Sequence, residues 1–87
     1  MSYIPIIPIE DLIKVEFLPI ESTKTNLIDK LNKACKDGNL NKNKHVITFL
    51  SESGKLKVNT TLWMVGKKYV LLKENLYIPI DSIVDII

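Results

Sequence analysis

The spacing of apolar residues changes along this chain, and each change predicts an element. Ile4 to Ile9 is apolar but interrupted by Pro5 and Pro8. Each proline fixes its own φ and pushes the preceding residue towards extended backbone, so an extended segment is expected. From Leu12 to Leu18 the spacing becomes two. Ile13, Val15 and Phe17 alternate with Lys14 and Glu16, the pattern of a half-buried strand, which Pro19 would stop. Residues 1–21 therefore read as an extended arm plus a first strand. Over 22–38 the period becomes helical. Leu27, Ile28, Leu31, Ala34 and Cys35 share one face, and Asn26, Asp29, Lys30, Lys33 and Lys36 take the other. Ser22 to Thr25 offers N-caps, and Gly38 stands where a glycine would end the helix.

Asn39 to Lys44 is a polar loop, and from 45 to 87 the pattern is strand and turn. Val46 to Glu52 is followed by a Ser53-Gly54 turn, then a long strand from Leu56 to Val65. A Gly66-Lys67 turn leads to Lys68 to Lys73, a Glu74-Asn75 turn to Leu76 to Ile80, and a last strand covers Ile83 to Ile87. With these turns, one face of the meander holds Ile47, Phe49, Leu56, Val58, Leu62, Met64, Tyr69, Leu71 and Ile78, the expected core. The other face is polar at one end. At its other end Leu50, Trp63, Val70 and Leu72 gather, too apolar for a solvated face, so the helix or a second subunit should cover them. The expected fold is a single small α+β domain in the order β-α-β-β-β-β(-β). Its sheet is an antiparallel meander or partly open barrel, with one amphipathic helix.

Ile7 to Val15 (IPIEDLIKV) echoes Ile78 to Ile86 (IPIDSIVDI). The physical reading is a short strand stopped by proline, one turn with an acid at its start, and a new apolar stretch. In an Ile-rich chain coincidence is the competing reading. If the copies are a true repeat, they could be neighbouring strands of one sheet.

The long central strand, the tight hairpins and the final Ile78-Pro79-Ile80-Asp81-Ser82-Ile83-Val84 turn together resemble small SH3-like and Sm-like β-barrels, from about Thr25 to Ile87. The likeness is one of element order and carries no signature motif, so no functional residue follows from it. It implies binding of RNA with ring formation in the Sm-like case, and of peptides or nucleic acid in the SH3-like case.

With 87 residues the chain makes one domain with a thin core, which a partner subunit would help. No apolar run nears the ~20 residues needed to cross a bilayer, and neither a signal peptide nor a membrane anchor is expected. Cys35 is the single cysteine, so an internal disulfide is impossible and a cytoplasmic setting is the default. Lysine is abundant and arginine absent. Together with many Ile and Asn, this matches AT-rich codon usage. Charge is uneven: residues 1–21 carry −3, 22–73 carry +8 and 74–87 carry −3. A basic middle between acidic ends marks an anion-binding surface, unless the ends fold back over it.

Few residues suggest chemistry. His45 and Cys35 form no metal-ligand spacing, and Cys35 reads as a buried thiol. Ser51, Ser53 and Ser82 read as turn residues. Gly38, Gly54 and Gly66 are too isolated to cradle a phosphate. No catalytic site, metal or cofactor is expected.

The pattern fixes no function. The first reading is a non-catalytic module that meets an unknown protein partner, or itself as a homodimer or higher oligomer, through Leu50, Trp63, Val70 and Leu72. The alternative is a small-barrel nucleic-acid binder. Its phosphate contacts would be Lys30, Lys33, Lys36, Lys42, Lys44, Lys55, Lys57, Lys67 and Lys68, with Trp63, Tyr69 and Tyr77 to stack on bases. Absent arginine argues against base-specific forks, and a solvated lysine face is the ordinary alternative.

Overall fold

A computed structural model describes residues 3–20 and 26–87. The helical period becomes α1 (Leu27–Asn41), which buries Leu27, Leu31 and Ala34 and leaves Ile28 exposed and Cys35 half-buried. The expected caps at 22–25 lie outside the described residues. Gly38 does not end the helix. It lies within it, because α1 passes so close to the next layer that a Cβ there would sit 2.8 Å from the Leu62 carbonyl oxygen. The helix instead closes at Asn41. Lys42 takes the left-handed conformation (φ 55°) and its N–H bonds the Gly38 carbonyl at 3.0 Å.

Strands β1 (His45–Ser51) and β2 (Gly54–Thr60) form a hairpin in which Ser51 faces Gly54. The turn is therefore Glu52-Ser53, one residue earlier than the pattern suggests. The Ser51 hydroxyl donates to the Gly54 carbonyl at 2.7 Å and accepts from the Ser53 N–H. This shift moves each cross-strand pair by two residues, which preserves the faces. Ile47, Phe49 and Val58 are fully buried as expected. Each such side chain contributes roughly 1.5–3 kcal/mol on burial.

The long strand expected over Leu56 to Val65 breaks at Thr61. Beyond it β3 (Leu62–Val65) joins β4 (Tyr69–Leu72) and β5 (Leu76–Pro79) in a second sheet, while β6 (Ile83–Ile86) returns to pair with β1. The described residues thus form one helix and six antiparallel strands in two three-stranded sheets, ordered β2-β1-β6 and β3-β4-β5, with no closed barrel.

In the second sheet the expected faces are inverted. Leu72 faces Leu76 and Val70 faces Ile78, so the β4–β5 connection holds three residues, Lys73–Asn75, rather than two. That single extra residue swaps β4 over. Val70 and Leu72 enter the core with Ile78, all fully buried, and Tyr69 turns out to solvent. A bulge between Leu62 and Met64 re-phases β3 as well. Leu62 is buried and Val65 packs on the core, while Trp63 and Met64 are exposed.

The strand expected over Leu12 to Leu18 does not form. Residues Ile9–Lys14 make a 3₁₀ turn whose Leu12 is buried, with Ile13 exposed. The arm is pinned backbone to backbone: Ile7 N–H to Lys57 O at 2.8 Å, and Leu18 N–H to Leu50 O at 3.1 Å. Phe17 meets Phe49 with ring centroids 5.3 Å apart. The two echoing segments share a local device. Pro8 (φ −62°, ψ 146°) and Pro79 (φ −63°, ψ 133°) each lead into a 3₁₀ turn, Ile9–Lys14 and Ile80–Ser82. Only the second is followed by a strand, so the copies are not sheet neighbours. No helix of the described residues is long and apolar enough to cross a membrane.

Candidate ligand-binding site

The bulge in β3 decides where Trp63 goes. With Leu62 and Val65 both turned inward, the indole is pushed to the sheet edge, where it is 42% exposed. Helix α1 runs beside that edge because Gly38 allows it. The next residue, Asn39, donates from Nδ2 to the Trp63 carbonyl at 3.2 Å. Between helix and strand lies a cavity of about 370 Å³, lined by Asn39, Lys42, Lys44, Thr61, Trp63 and Lys73 beside Gly38. That volume falls in the range of small-ligand sites, roughly 300–1,000 Å³.

The lysines reach the cleft from two connections. Lys42 and Lys44 sit on the loop from α1 to β1. Lys73 starts the Lys73–Asn75 turn, and its N–H is fixed on the Thr61 carbonyl at 3.0 Å. All three are exposed. The loop is organised by Asp37. Its carboxylate accepts from Asn41 Nδ2 at 2.8 Å and from Asn43 Nδ2 at 3.2 and 3.1 Å, and His45 Nε2 lies 3.4 Å away. These hydrogen bonds, Asn41 first and then Asn43, hold the Asp37 carboxyl below the usual carboxylate range, with the nearby imidazole adding a smaller pull.

A second aromatic feature lies on the outer face of β3-β4-β5. Met64, Leu71 and Tyr77 stand side by side across the strands. Tyr69 meets Tyr77 edge to face, with centroids 6.3 Å apart at 76°. Met64, Tyr69 and Tyr77 are all more than half exposed, and Ile13 of the arm shares a hollow with Tyr77.

Placement of the expected residues is mixed. Of the expected interaction surface only Trp63 is exposed. Leu50 is half-buried, and Val70 and Leu72 are core residues, so the four do not form a surface. The one-residue turn difference moves Val70 and Leu72 inside, into one core with Leu27, Leu31 and Ala34 of the helix. Of the lysines, Lys42 and Lys44 join Trp63 in the cleft. Lys30 instead pairs with Asp85 at 3.0 Å and shares a separate hollow with Lys33 and His45. Lys36 and Lys55 are exposed away from the cleft, and Lys57 is half-buried beneath the arm. Lys67 and Lys68 are exposed immediately before Tyr69. Lys73, Asn39 and Thr61 are the members that sequence reasoning missed.

The chain shows no significant match to any protein-family model, curated protein or solved structure. Function therefore rests on the cleft itself. Its ammonium groups can neutralise anionic groups as point charges, and its indole offers a flat face for stacking. Among the described residues no group of three or more His, Cys, Asp and Glu is placed to hold a metal ion.

Proposed function

We propose that this domain is a non-catalytic binder of single-stranded nucleic acid. The observation that carries the proposal is the half-exposed Trp63 sharing one cleft with Lys42, Lys44 and Lys73. Phosphates would meet the ammonium groups, and an unstacked base would lie on the indole. A base inside a duplex is already stacked and out of reach, which favours a single strand. Tyr69 and Tyr77, with Lys67 and Lys68 beside them, offer further stacking and charge on the open sheet face. The element order, a helix before a bent meander with a 3₁₀ turn ahead of the last strand, resembles that of SH3-like and Sm-like barrels and is compatible with this use.

Trp63 is the single tryptophan, so its emission reports on the cleft directly. Titration with a uridine or thymidine dodecamer at ~50 mM salt should quench it, with affinity falling steeply as salt rises. Replacing Lys42, Lys44 and Lys73 together by alanine should flatten the log–log salt slope by about 2, since each phosphate contact on a single strand contributes about 0.7. Absence of binding by the wild-type protein at ~50 mM salt would refute the proposal.

A second reading has its own observation. The outer-face patch of Met64, Tyr69, Leu71 and Tyr77 has the residue types enriched at protein interfaces and is compatible with self-association. Light scattering on a size-exclusion column at ~100 µM would decide it, and a strict monomer ends it.

A further inference from the structure

The connection from α1 to β1 alternates in a way the cleft makes meaningful. Asn41, Asn43 and His45 all turn to Asp37, by contacts of 2.8 Å, 3.1–3.2 Å and 3.4 Å. The intervening residues, Lys42 and Lys44, line the Trp63 cleft. Lys42 takes the left-handed conformation that closes α1 (φ 55°), uncommon for a lysine, and so fixes the direction in which the loop leaves the helix. Asp37 itself lines the separate hollow with Lys30, Lys33 and His45, not the cleft, and a negative charge beside an anion site is electrostatically unhelpful, yet it gathers the alternate side chains of this loop.

We infer that Asp37 is a positioning residue. Its carboxylate grips the alternate side chains of the loop and so presents Lys42 and Lys44 together to a phosphate-bearing ligand at Trp63. This rests on the nucleic-acid reading above and adds to it a residue that never touches the ligand. Loop geometry outweighs the repulsion that Asp37 exerts on the bound anion. The alternation also explains why two asparagines are spaced with the lysines: Asn41 and Asn43 are the donors that keep Lys42 and Lys44 pointing the other way.

The sign of one substitution separates this from simple electrostatics. Removing a negative charge near an anion site should tighten binding if charge alone matters. Positioning predicts the opposite. Asp37→Ala should bind a thymidine dodecamer roughly five-fold or more weakly at ~50 mM salt, with the log–log salt slope reduced by about 1, as phosphate contacts become intermittent. Asn43→Ala, which leaves the charge unchanged and removes one grip, should weaken binding in the same direction and serves if Asp37→Ala folds poorly. On a Lys42→Ala/Lys44→Ala background, Asp37→Ala should cause no further loss. If the wild type binds and both single variants bind as tightly or more tightly, Asp37 is not a positioning residue and the nucleic-acid reading stands. If the wild type does not bind, that reading fails and this inference falls with it.

Discussion

Gly38 of α1 lies against the backbone of Leu62 in β3, so close that a Cβ would meet the Leu62 carbonyl oxygen at 2.8 Å and the Thr61 Cγ2 at 3.0 Å. Helix propensity alone favours alanine over a mid-helix glycine by about 1 kcal/mol. Here the obstacle is backbone, which cannot rotate away as a flexible side chain could. Gly38→Ala is therefore expected to destabilise the domain by about 1–3 kcal/mol, the usual cost of overpacking. Urea denaturation measures it. A midpoint equal to or above that of the wild type would mean that the helix rides further from β3 in solution.

Trp63 has the opposite profile. It stands on a bulge, is 42% exposed, and is held through its backbone carbonyl by Asn39 rather than by core packing. Trp63→Ala should change stability by under about 1 kcal/mol, in keeping with an exposed position. It should lower affinity for single-stranded nucleic acid by about 1–3 kcal/mol, the range for one base–aromatic stack. Thermal melts and gel-shift or anisotropy titrations read the two effects separately. A large stability loss with unchanged affinity would assign the indole to the core instead.

The contrast between the two hairpins explains what was legible in the sequence. The pattern places the first turn on Ser53-Gly54 and the second on Glu74-Asn75. In the first, the error moved the pairs by two residues, and the faces of Ile47, Phe49 and Val58 survived it. In the second, Lys73–Asn75 contains a third turn residue, and an error of one inverted Val70, Leu72 and Tyr69. Nothing local marks Lys73 as turn rather than strand. Its N–H is captured by Thr61, a contact between segments that periodicity does not encode. The Trp63 bulge was hidden for the same reason, because alternation assumes an unbroken ladder. The apolar face of α1 was legible in Leu27, Leu31 and Ala34. The role of Gly38 was not, since a close approach and a helix stop call for the same residue. The cleft was half visible: Lys42, Lys44 and Trp63 were candidates, but nothing in their spacing tied them to Lys73.

The inverted faces are themselves testable. Leu72 is fully buried and Tyr77 is more than half exposed. Leu72→Ala should cost about 2–5 kcal/mol, a core truncation with its cavity. Tyr77→Ser should cost under about 1.5 kcal/mol, chiefly the lost edge-to-face contact with Tyr69. Chemical denaturation ranks the pair. A loss at Leu72→Ala no larger than that at Tyr77→Ser would restore a two-residue turn, which puts Leu72 outside the core and leaves Tyr77 where it is.

The β4–β5 turn carries a removable strain. Glu74 and Asn75 both take positive φ, 69° and 61°. Asparagine tolerates this region, and glutamate gains nothing from it. Glu74→Gly should stabilise the domain by about 0.5–1 kcal/mol, relief of strain offset by the added freedom of the unfolded chain. A rise in the melting midpoint checks it, and a fall would show that the Glu74 side chain makes a stabilising contact.

Asp37 gives a pH dependence whose sign is fixed by its partners. The Asn41 and Asn43 amides, followed by the His45 imidazole, favour the ionised carboxylate, so the folded-state pKa lies below the ordinary value of 3.8. A depressed pKa stabilises the fold fully above the unfolded value. Between the two values the unfolded chain binds more protons, and stability falls as pH drops; below the folded value the contribution is gone. The wild type should therefore lose its advantage over Asp37→Ala as pH falls through the ordinary carboxylate value of 3.8 and below it. Paired thermal melts across that range give the difference directly. Protonation would also weaken the grip on Asn43, so the protection of the Lys42 to Lys44 amides, taken relative to the intrinsic exchange rate at each pH, should fall over the same interval. A stability difference that stays constant with pH, with no change in protection, would mean that the carboxylate does not hold the loop in solution.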